Sequence, residues 1–333
     1  MPTFRQRVGC WVNERWRLEL VLRAPTLARR IGLEWRDLCN RHEVVARCDD
    51  RIGRICHWKD SSFLTVCRVF PPTGGRLLRH VWPKGAPATT PPVSVILPVR
   101  GEDRSAVVIF VADTLLQMAG PGSEVLVCEH DVAPRYDRHW PQGIRHVFVP
   151  AWEGEPFNKS KAMNAGVRAA RHPVLVLLDA DVIPSPDFFV RSLELLDRGW
   201  EAVRPVRFLF LLDETESHEF LRKASLRDMQ EISQVHQNFP GLATVLRRET
   251  YGEIGGHDER FEGWGGEDLE FLDRLRTRKL YPGSFLPAIH LWHSPAEQKR
   301  RGSRNNDLFH RILQEPVDRR IESGKRQFKG GRT

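Results

Sequence analysis

Short apolar runs alternate with stretches of helical length through the middle of this chain, and this alternation constrains the fold more than any other feature. The runs predict strands and the stretches between them predict helices, in the order Val93–Pro98, Ser105–Met118, Glu124–Cys128, Ser160–Arg171, Val174–Leu178 and Pro186–Leu196. Strands that are apolar on both sides and separated by helices are typical of a parallel α/β sheet covered on both faces. Ligands of such folds bind beyond the carboxyl ends of the strands, so we look for functional residues there.

A proline-rich stretch, Pro83–Pro92, precedes this region. Four of its ten residues are proline, a composition that interrupts both helices and sheets. We therefore predict an N-terminal module at residues 1–82, a linker at 83–92, a main domain at 93–322 and a basic tail at 323–333.

The N-terminal module is predicted to be a small α+β unit. Trp11–Asn40 predicts helices that are interrupted at Pro25, because proline cannot continue a helix. Cys56–Trp82 predicts strands on either side of a turn at Pro71–Gly75.

Charge and cysteine content also set the first 90 residues apart. They contain 17 Lys and Arg but 8 Asp and Glu, and five of the six cysteines. Trp11, Trp16, Leu18, Leu20 and Val21 lie beside Arg15, Arg17 and Arg23, so contact between residues 1–90 and an anionic membrane or acidic glycan is one interpretation, and a packed helix with a solvated basic face is the other. No motif for reading nucleic acid is recognisable, so no nucleic acid partner is expected. The spacing of Cys39, His42, Cys48 and Cys56–His57 follows no familiar zinc pattern, and reduced thiols are the simpler interpretation.

The overall composition of the 333 residues is that of an ordinary globular protein, with 41% hydrophobic and 28% charged side chains. It excludes a disordered or collagen-like chain. No apolar run approaches the roughly 18–20 residues that cross a bilayer, and Met1–Cys10 lacks the apolar segment of a signal peptide. We therefore expect a cytoplasmic protein, with peripheral attachment to the membrane as an option.

Three short segments carry candidate chemistry. Asp179 and Asp181 follow a predicted buried strand, where two carboxylates can hold a divalent cation that bridges a diphosphate; a solvated turn is the alternative. His290 and His293 end a later predicted strand. They reach one site only if the chain turns after the strand, and otherwise they are surface or core residues.

The third segment is a glycine-rich loop, Phe261–Gly266, followed by a predicted helix whose first turn carries Glu267, Asp268 and Glu270. Acids at this position complement the helix dipole, which is sufficient reason for Glu270. The glycines suggest that the loop sets a carboxylate and an indole ring against a polar ligand. Leu269, Leu272 and Leu275 are predicted to form the buried face of the helix.

Taken in order, these segments resemble the GT-A glycosyltransferases, most closely the β-1,4-galactosyltransferase branch, from about Val95 to Phe309. Asp179–Asp181 is similar to the Asp-x-Asp motif, Gly263–Asp268 to the acceptor and catalytic loop, and His290–His293 to a Met-x-x-His metal pair. Ile96–Arg100 and Phe157–Gly166 are similar to two further donor-binding segments. The resemblance implies a GT-A fold, that is, a Rossmann-like and mostly parallel sheet with helices on both faces.

The resemblance also implies a role for each matching residue. Asp268 would be the general base, Glu267 and Trp264 would bind the acceptor, and Asp181, His290 and His293 would be the metal ligands. The residues implied in donor binding are Pro98, Arg100, Glu129, Asp131, Asn158, Lys161, Asp179 and Gly265.

The implied reaction moves a hexose or N-acetylhexosamine from a UDP-sugar to a hydroxyl group of a glycan or glycolipid, with Mn²⁺ or Mg²⁺ as cofactor. An acid at Asp268 favours inversion, because some retaining relatives have Asn there. His290 in place of Met makes Mg²⁺ plausible, since nitrogen is a harder ligand than a thioether. Lys159 stands where Arg is frequent, and Gly241–Val245 only loosely follows the segment that shapes the donor-sugar pocket. The donor sugar is therefore left open.

Two other functions remain alternatives. A nucleotidyltransferase has a similar sheet but would need a glycine-rich basic loop after the first strand, and Val99–Arg104 contains one glycine and two acids. A non-catalytic glycan-binding protein would not need a base at Asp268.

Overall fold

A computed structural model describes residues 3–33, 45–47, 54–56, 62–83, 90–237, 239, 241–263, 265–294 and 304–330. The helices are α1 (Phe4–Cys10), continued by a π-helical turn (Trp11–Arg15), α2 (Trp16–Arg23), α3 (Pro25–Arg30), α4 (Ser62–Val69), α5 (Pro71–Val81), α6 (Ser105–Met118), α7 (Lys159–Ala169), α8 (Phe188–Asp197), α9 (Glu214–Lys223), α10 (Arg248–Glu253), α11 (Glu267–Leu275), α12 (Arg304–Ile312) and α13 (Val317–Gly330). The strands are β1 (Val45–Arg47), β2 (Arg54–Cys56), β3 (Ser94–Val99), β4 (Glu124–Asp131), β5 (Ile144–Pro150), β6 (Val174–Leu178), β7 (Val182–Pro184), β8 (Ala202–Val203), β9 (Val206–Leu211), β10 (Gln234–Gln237), β11 (Ala243–Arg247) and β12 (Leu286–His290).

The main sheet has six strands in the order β5-β4-β3-β6-β11-β8. The first four are parallel to one another, and β11 runs antiparallel to both of its neighbours. This mostly parallel sheet confirms the predicted α/β class.

Both faces of the main sheet are buried. In β3, Val95 and Leu97 join one apolar cluster while Ile96 joins the other. The first cluster includes side chains of α6 and α8, and the second includes side chains of α7 and α11. This packing explains the uninterrupted apolar runs of the strands, because a strand covered on both sides has no solvent face for polar residues.

A second sheet, which the sequence did not predict, has the order β10-β9-β12-β7. Strand β12 is parallel to β9 and antiparallel to β7, and its register places His290 opposite Val182. The backbone N–H of Leu291 also donates to the carbonyl of Asp181, at 2.8 Å. The second sheet therefore brings the end of β12 to the carboxylates that follow β6.

The described N-terminal residues are mainly helical. The interruption at Pro25 is confirmed, since α2 ends at Arg23 and α3 begins at the proline. The prediction of strands around a turn at Pro71–Gly75 is wrong, because α4 and α5 occupy Ser62–Val81.

The reason for this error is the use that α5 makes of its prolines and glycines. Pro71 and Pro72 occupy the first helical turn, where a missing N–H costs nothing. A Cβ atom on Gly74 would lie 2.2 Å from the carbonyl oxygen of Ile232, and one on Gly75 would lie 2.4 Å from that of Gln230. The glycines therefore let the helix approach a distant backbone segment, and they do not form a turn.

Helix α13 spans Val317–Gly330 and so crosses position 322, where the main domain was predicted to end. The domain boundaries stay predictions. Among the described residues, no helix combines the length and apolar character needed to cross a membrane.

Candidate active site

Asp181, His290 and His293 come together at the carboxyl edge of the two sheets. The His293 Nε2 atom lies 3.1 Å from Asp181 Oδ2, and the His290 Nε2 atom lies 3.5 Å from Asp181 Oδ1. One ligand atom from each residue lies within 4.8 Å of the others. Both histidines reach the carboxylate because the chain leaves the strand after His290, as the predicted turn required.

The carboxylate of Asp181 is surrounded by cationic and imidazole groups. Arg104, at the start of α6, donates to its Oδ2 atom at 3.2 Å. Burial would raise the pKa of Asp181, but His290, His293 and Arg104 outweigh it and hold the pKa below its usual range. The position therefore favours an ionised carboxylate beside two nitrogen ligands.

Lys159 links a second group of acidic residues, which lies beside the Asp181 cluster. The Lys159 Nζ atom lies 2.8 Å from Asp179 Oδ1 and 3.1 Å from both carboxylate oxygens of Asp268. Its side chain is 12% exposed, and that of Asp268 is 20% exposed. Glu267 is buried beside them, and its Oε2 atom has no hydrogen-bond partner in the part of the chain that the structure describes.

These acids perturb one another. Burial, with the negative charge of Asp268, raises the pKa of Glu267 to about 7 although Lys159 opposes the rise. Burial raises the pKa of Asp179 to about 6 in the same way. For Lys159, burial would lower the pKa, but the attraction of Asp179, Asp268 and Glu267 prevails and raises it well above its usual range. The group thus contains a fixed positive charge and a carboxyl group that titrates near neutrality.

Glycines shape the space around Asp268. A Cβ atom on Gly241 would lie 1.6 Å from Asp268 Oδ2, so only glycine leaves room for the carboxylate in this position. Gly263, Gly265 and Gly266 have φ values of 82°, 101° and 90°, in the region that favours glycine. Gly265, a predicted donor-binding residue, has open space beside its Cα atom. Trp264 lies outside the described residues.

Helix α11 begins directly after this loop, and its first turn differs from the prediction. Leu272 and Leu275 are buried as predicted, but Leu269 is 36% exposed, so its prediction is wrong. Glu270 is buried and forms ion pairs with Arg274, at 2.6 Å, and with Arg320, at 3.1 Å. Its carboxylate therefore connects α11 to α13 through buried ion pairs, which the helix-dipole argument did not predict.

The predicted donor-binding residues of the first strand lie at the same sheet edge. Pro98 is buried within β3, and Arg100 follows the strand. The Nη1 atom of Arg100 is buried and has no hydrogen-bond partner among the described residues. A guanidinium nitrogen in this state is suited to an anionic or carbonyl ligand.

Glu129 and Asp131, at the end of β4, already have partners within the protein. Glu129 is fully buried and accepts hydrogen bonds from the backbone N–H groups of Arg135 and Tyr136 and from the ring of His146. Asp131 accepts from the N–H groups of Gly101 and Val132. These contacts fix the loops that follow β3 and β4, and donor binding by either residue stays a prediction.

Asn158 and Lys161 surround the start of α7. The side chain of Asn158 accepts from the Lys161 N–H as an N-cap and donates to the carbonyl of Glu259 at 2.7 Å. The Lys161 Nζ atom lies 2.7 Å from Glu155 and 5.1 Å from the ring centre of Trp152, which is largely exposed. Asn158 therefore joins α7 to the loop before Asp268, while Lys161 lies near the surface.

A groove of about 390 Å³ runs beside the histidines. It is lined by Leu211, Leu212, Asp213, Ser233, Gln234, His290, Trp292 and His293. The groove gives a polar ligand access to the Asp181 cluster from the side of the second sheet.

Several known glycosyltransferases are similar to this chain. The solved catalytic domain of Drosophila β1,4-galactosyltransferase 7 with xylobiose is 17% identical, with a TM-score of 0.36, and the match covers 63% of this chain and 79% of that one. Glucosyl-3-phosphoglycerate synthase of Mycobacterium tuberculosis, solved with Mn²⁺, UDP and phosphoglyceric acid, is 17% identical with a TM-score of 0.43, over 69% and 84%.

Among curated proteins, validoxylamine A glucosyltransferase of Streptomyces hygroscopicus subsp. limoneus is 26% identical over 58% of this chain and 49% of its own length. Chondroitin synthase of Escherichia coli is 24% identical over 46% and 28%. The chain thus spans about half of the first relative and less of the second.

Two family models match adjoining parts of the chain. Residues 94–255 match the model of glycosyl transferase family 2, and residues 225–287 match the model described as the N-terminal domain of galactosyltransferase. Together they extend from β3 to β12 and include both groups of acids. Residues 94–287 thus resemble glycosyltransferases over the region that the two models match. The family resemblance and the fold that it implied are therefore confirmed.

Two residues of the region that the family models match make contacts at the site that the sequence did not predict. In the sequence, Lys159 stands out only as a replacement for Arg, and Arg104 only as part of the loop after the first strand. Lys159 contacts Asp268, which lies 109 residues further along the chain, and Arg104 contacts Asp181, which lies 77 residues further along. The one signal in the sequence was the placement of Lys159 inside a donor-binding segment.

Proposed function

We propose that the chain transfers a hexose or N-acetylhexosamine from a UDP-sugar to a hydroxyl group of a glycan or glycolipid, with a divalent cation and with inversion. The observation that carries the proposal is the pair of clusters at one sheet edge. Asp181, His290 and His293 converge within 4.8 Å, and Lys159 joins Asp179 to Asp268.

The chemistry of the first cluster fits a divalent cation. A buried carboxylate held ionised, with two imidazole nitrogens beside it, is a donor set that suits Mn²⁺ and admits Mg²⁺. Arg104 is already drawn to the same carboxylate, which supports a preference for positive charge there. A bound cation would neutralise the charge that develops on the leaving diphosphate.

The second cluster fits the acceptor side of the reaction. Asp268 is held by Lys159 on one side and by the close backbone of Gly241 on the other, so its carboxylate has a defined position. An acceptor hydroxyl group that donates a hydrogen bond to Asp268 would transfer its proton to this carboxylate while the hydroxyl oxygen attacks the anomeric carbon of the donor sugar. The unpartnered oxygen of Glu267 is available to bind a second hydroxyl group.

The donor is inferred from the residues at the ends of β3 and β4 and from relatives. The unpartnered nitrogen of Arg100 complements an anionic nucleotide, whereas Lys161 is paired with Glu155 and stays a predicted donor-binding residue. The choice of UDP follows the resemblance of Ile96–Arg100 to a donor-binding segment. The name of the Streptomyces relative, a glucosyltransferase, agrees with a hexose donor.

The test measures UDP release from a panel of UDP-sugars with Mn²⁺, Mg²⁺ or EDTA, using the full chain. We expect metal-dependent release from one sugar, and its loss in Asp181→Ala but not in the matched control Asp197→Ala, an exposed residue at the end of α8. Asp268→Asn is expected to abolish transfer and keep UDP binding.

Other outcomes separate the alternatives. Loss of UDP binding in Asp268→Asn would remove the residue from the role of base. Binding of UDP and of glycans without turnover on any acceptor would favour a glycan-binding protein. Absence of UDP binding would contradict the proposed donor.

A further inference from the structure

The helices at the start of the described chain expose an unusual number of large apolar side chains. Eleven such side chains are exposed among the described residues, and seven of them lie within residues 4–31: Phe4, Val8, Trp11, Val12, Trp16, Leu27 and Ile31. The first five are spaced by three, four or one residues, which places them along one side of α1, its π-helical extension and the start of α2. We call these five residues the outer stripe.

The outer stripe is not the packing face of these helices. Cys10, Leu18, Val21 and Ala28 are buried and belong to the large apolar core. The helices are also held by Arg76, which lies 2.6 Å from Glu19. Because the inward face is already packed, the outer stripe is a second apolar surface that a folded chain presents to its surroundings.

Positive charge surrounds the outer stripe. Arg5, Arg7, Arg29 and Arg30 are exposed, and none of them has an ion pair within the described ranges. The carboxylate of Glu19 is occupied by Arg15, Arg23 and Arg76. The stripe therefore combines exposed indole rings with neighbouring exposed arginines that have no ion pair within the described residues.

We propose that the outer stripe docks on an anionic lipid surface. Tryptophan is favoured where a bilayer meets water, since its ring is apolar at one end and polar at the other. Arginines beside an apolar helix face are attracted to anionic headgroups. At 13 residues, Phe4–Trp16 is about 20 Å long, enough for a helix to lie in the plane of the interface.

Charge argues against a second copy of the chain as the occupant. In a two-fold contact through the outer stripe, each copy would place the same arginines against those of its partner. Like charges brought together in this way oppose association. A lipid surface supplies the missing negative charge and accepts the apolar side chains at the same time.

The experiment is flotation of the full chain with vesicles of phosphatidylcholine, with or without phosphatidylglycerol. We expect binding to the anionic vesicles alone, weakened by added salt. Arg5→Gln with Arg7→Gln is expected to weaken binding about 25-fold, since each arginine near the surface contributes about fivefold. Trp11→Ser with Trp16→Ser is expected to weaken it about tenfold or more. Leu313→Ser, an exposed apolar residue elsewhere, is the matched control.

A second measurement needs no variant. Anionic vesicles with brominated acyl chains should quench part of the tryptophan fluorescence of the unaltered protein, because Trp11 and Trp16 would lie at the acyl boundary. Absence of quenching, equal binding to neutral vesicles, or unchanged binding by both double variants would overturn the proposal. If the unaltered protein does not bind vesicles but forms a dimer that is lost in the tryptophan double variant, the outer stripe serves self-association and the lipid proposal is wrong.

Discussion

Replacing Lys159 with methionine removes the cation that bridges Asp179 and Asp268 while keeping a side chain of similar length. Lys159 lies 2.8 Å from Asp179 and 3.1 Å from Asp268. Removing one partner of a buried ion pair costs about 3–5 kcal/mol. The side chains of Lys159 and Asp268 are 12% and 20% exposed, so solvent partly screens the pair. We therefore expect Lys159→Met to lower the free energy of unfolding by about 3 kcal/mol, the lower end of this range, above neutral pH.

The loss is expected to depend on pH. The pKa of Glu267 is raised by burial and by Asp268 to about 7, and Lys159 limits that rise. Without the lysine, the folded-state pKa rises further above its unfolded value near 4.5, so the folded variant binds more protons than the unfolded chain over a wider range. Stability then falls as the pH increases through this range, and the deficit relative to the unaltered protein grows.

The assay is urea unfolding, with EDTA present, of the unaltered protein, Lys159→Met and Lys159→Arg. At about pH 8 we expect the methionine variant to lose about 3 kcal/mol, and at about pH 5 a loss smaller by at least 1 kcal/mol. Lys159→Arg keeps the charge, so its smaller deficit is expected to change little with pH. Equal deficits of Lys159→Met at both pH values would refute the electrostatic reasoning and indicate lost packing alone.

Three further substitutions test the same site. Glu267→Gln removes a carboxyl group whose pKa is raised from about 4.5 to about 7 in the folded protein. Protonation of this group stabilises the fold below about pH 4.5, and the contribution is lost as the pH passes 7. Unfolding measurements should therefore find the variant about 3 kcal/mol more stable than the unaltered protein at pH 8 and no more stable at pH 4. Gly241→Ala should displace the Asp268 carboxylate and reduce sugar transfer about 100-fold while UDP binding is kept. The control Gly252→Ala, where a Cβ atom meets nothing within 4 Å, should remain active. Equal activity of the two variants would exclude the steric argument. His290→Met should shift the metal preference of UDP release from Mg²⁺ towards Mn²⁺, and an unchanged preference would remove His290 from the ligand set.

Local patterns were sufficient to predict β3, β4 and β6 of the main sheet, but β5, β8 and β11 were not predicted. The bounds predicted for α6 and β6, Ser105–Met118 and Val174–Leu178, are those of the structure. Both are long or strongly apolar segments whose periodicity is set by neighbouring residues. The prediction failed at α5, because the reason for Gly74 and Gly75 is a backbone segment more than 150 residues away.

The site was predictable to the extent that motif residues mark it. Asp181, His290 and His293 were named from the resemblance, and the structure brings their ligand atoms together. The contacts of Lys159 and Arg104 were not predictable, because a lysine or arginine in a loop gives no local sign of which carboxylate it will meet. Glu270 shows the same difficulty, since its partner Arg320 lies 50 residues further along the chain.

The close approach of α5 to residues 229–232 also determines what protects an open sheet edge. The Ile232 N–H donates to the carbonyl of Pro71 at 3.1 Å, and β10 begins two residues later at the edge of the second sheet. Helix α4 packs against β10 and lies beside α5. An uncovered edge strand is a template for pairing with other chains, and proteins commonly shield such edges. A chain shortened to begin at the proline-rich stretch would lose this cover, so we expect it to aggregate through β10 even where the main sheet still folds.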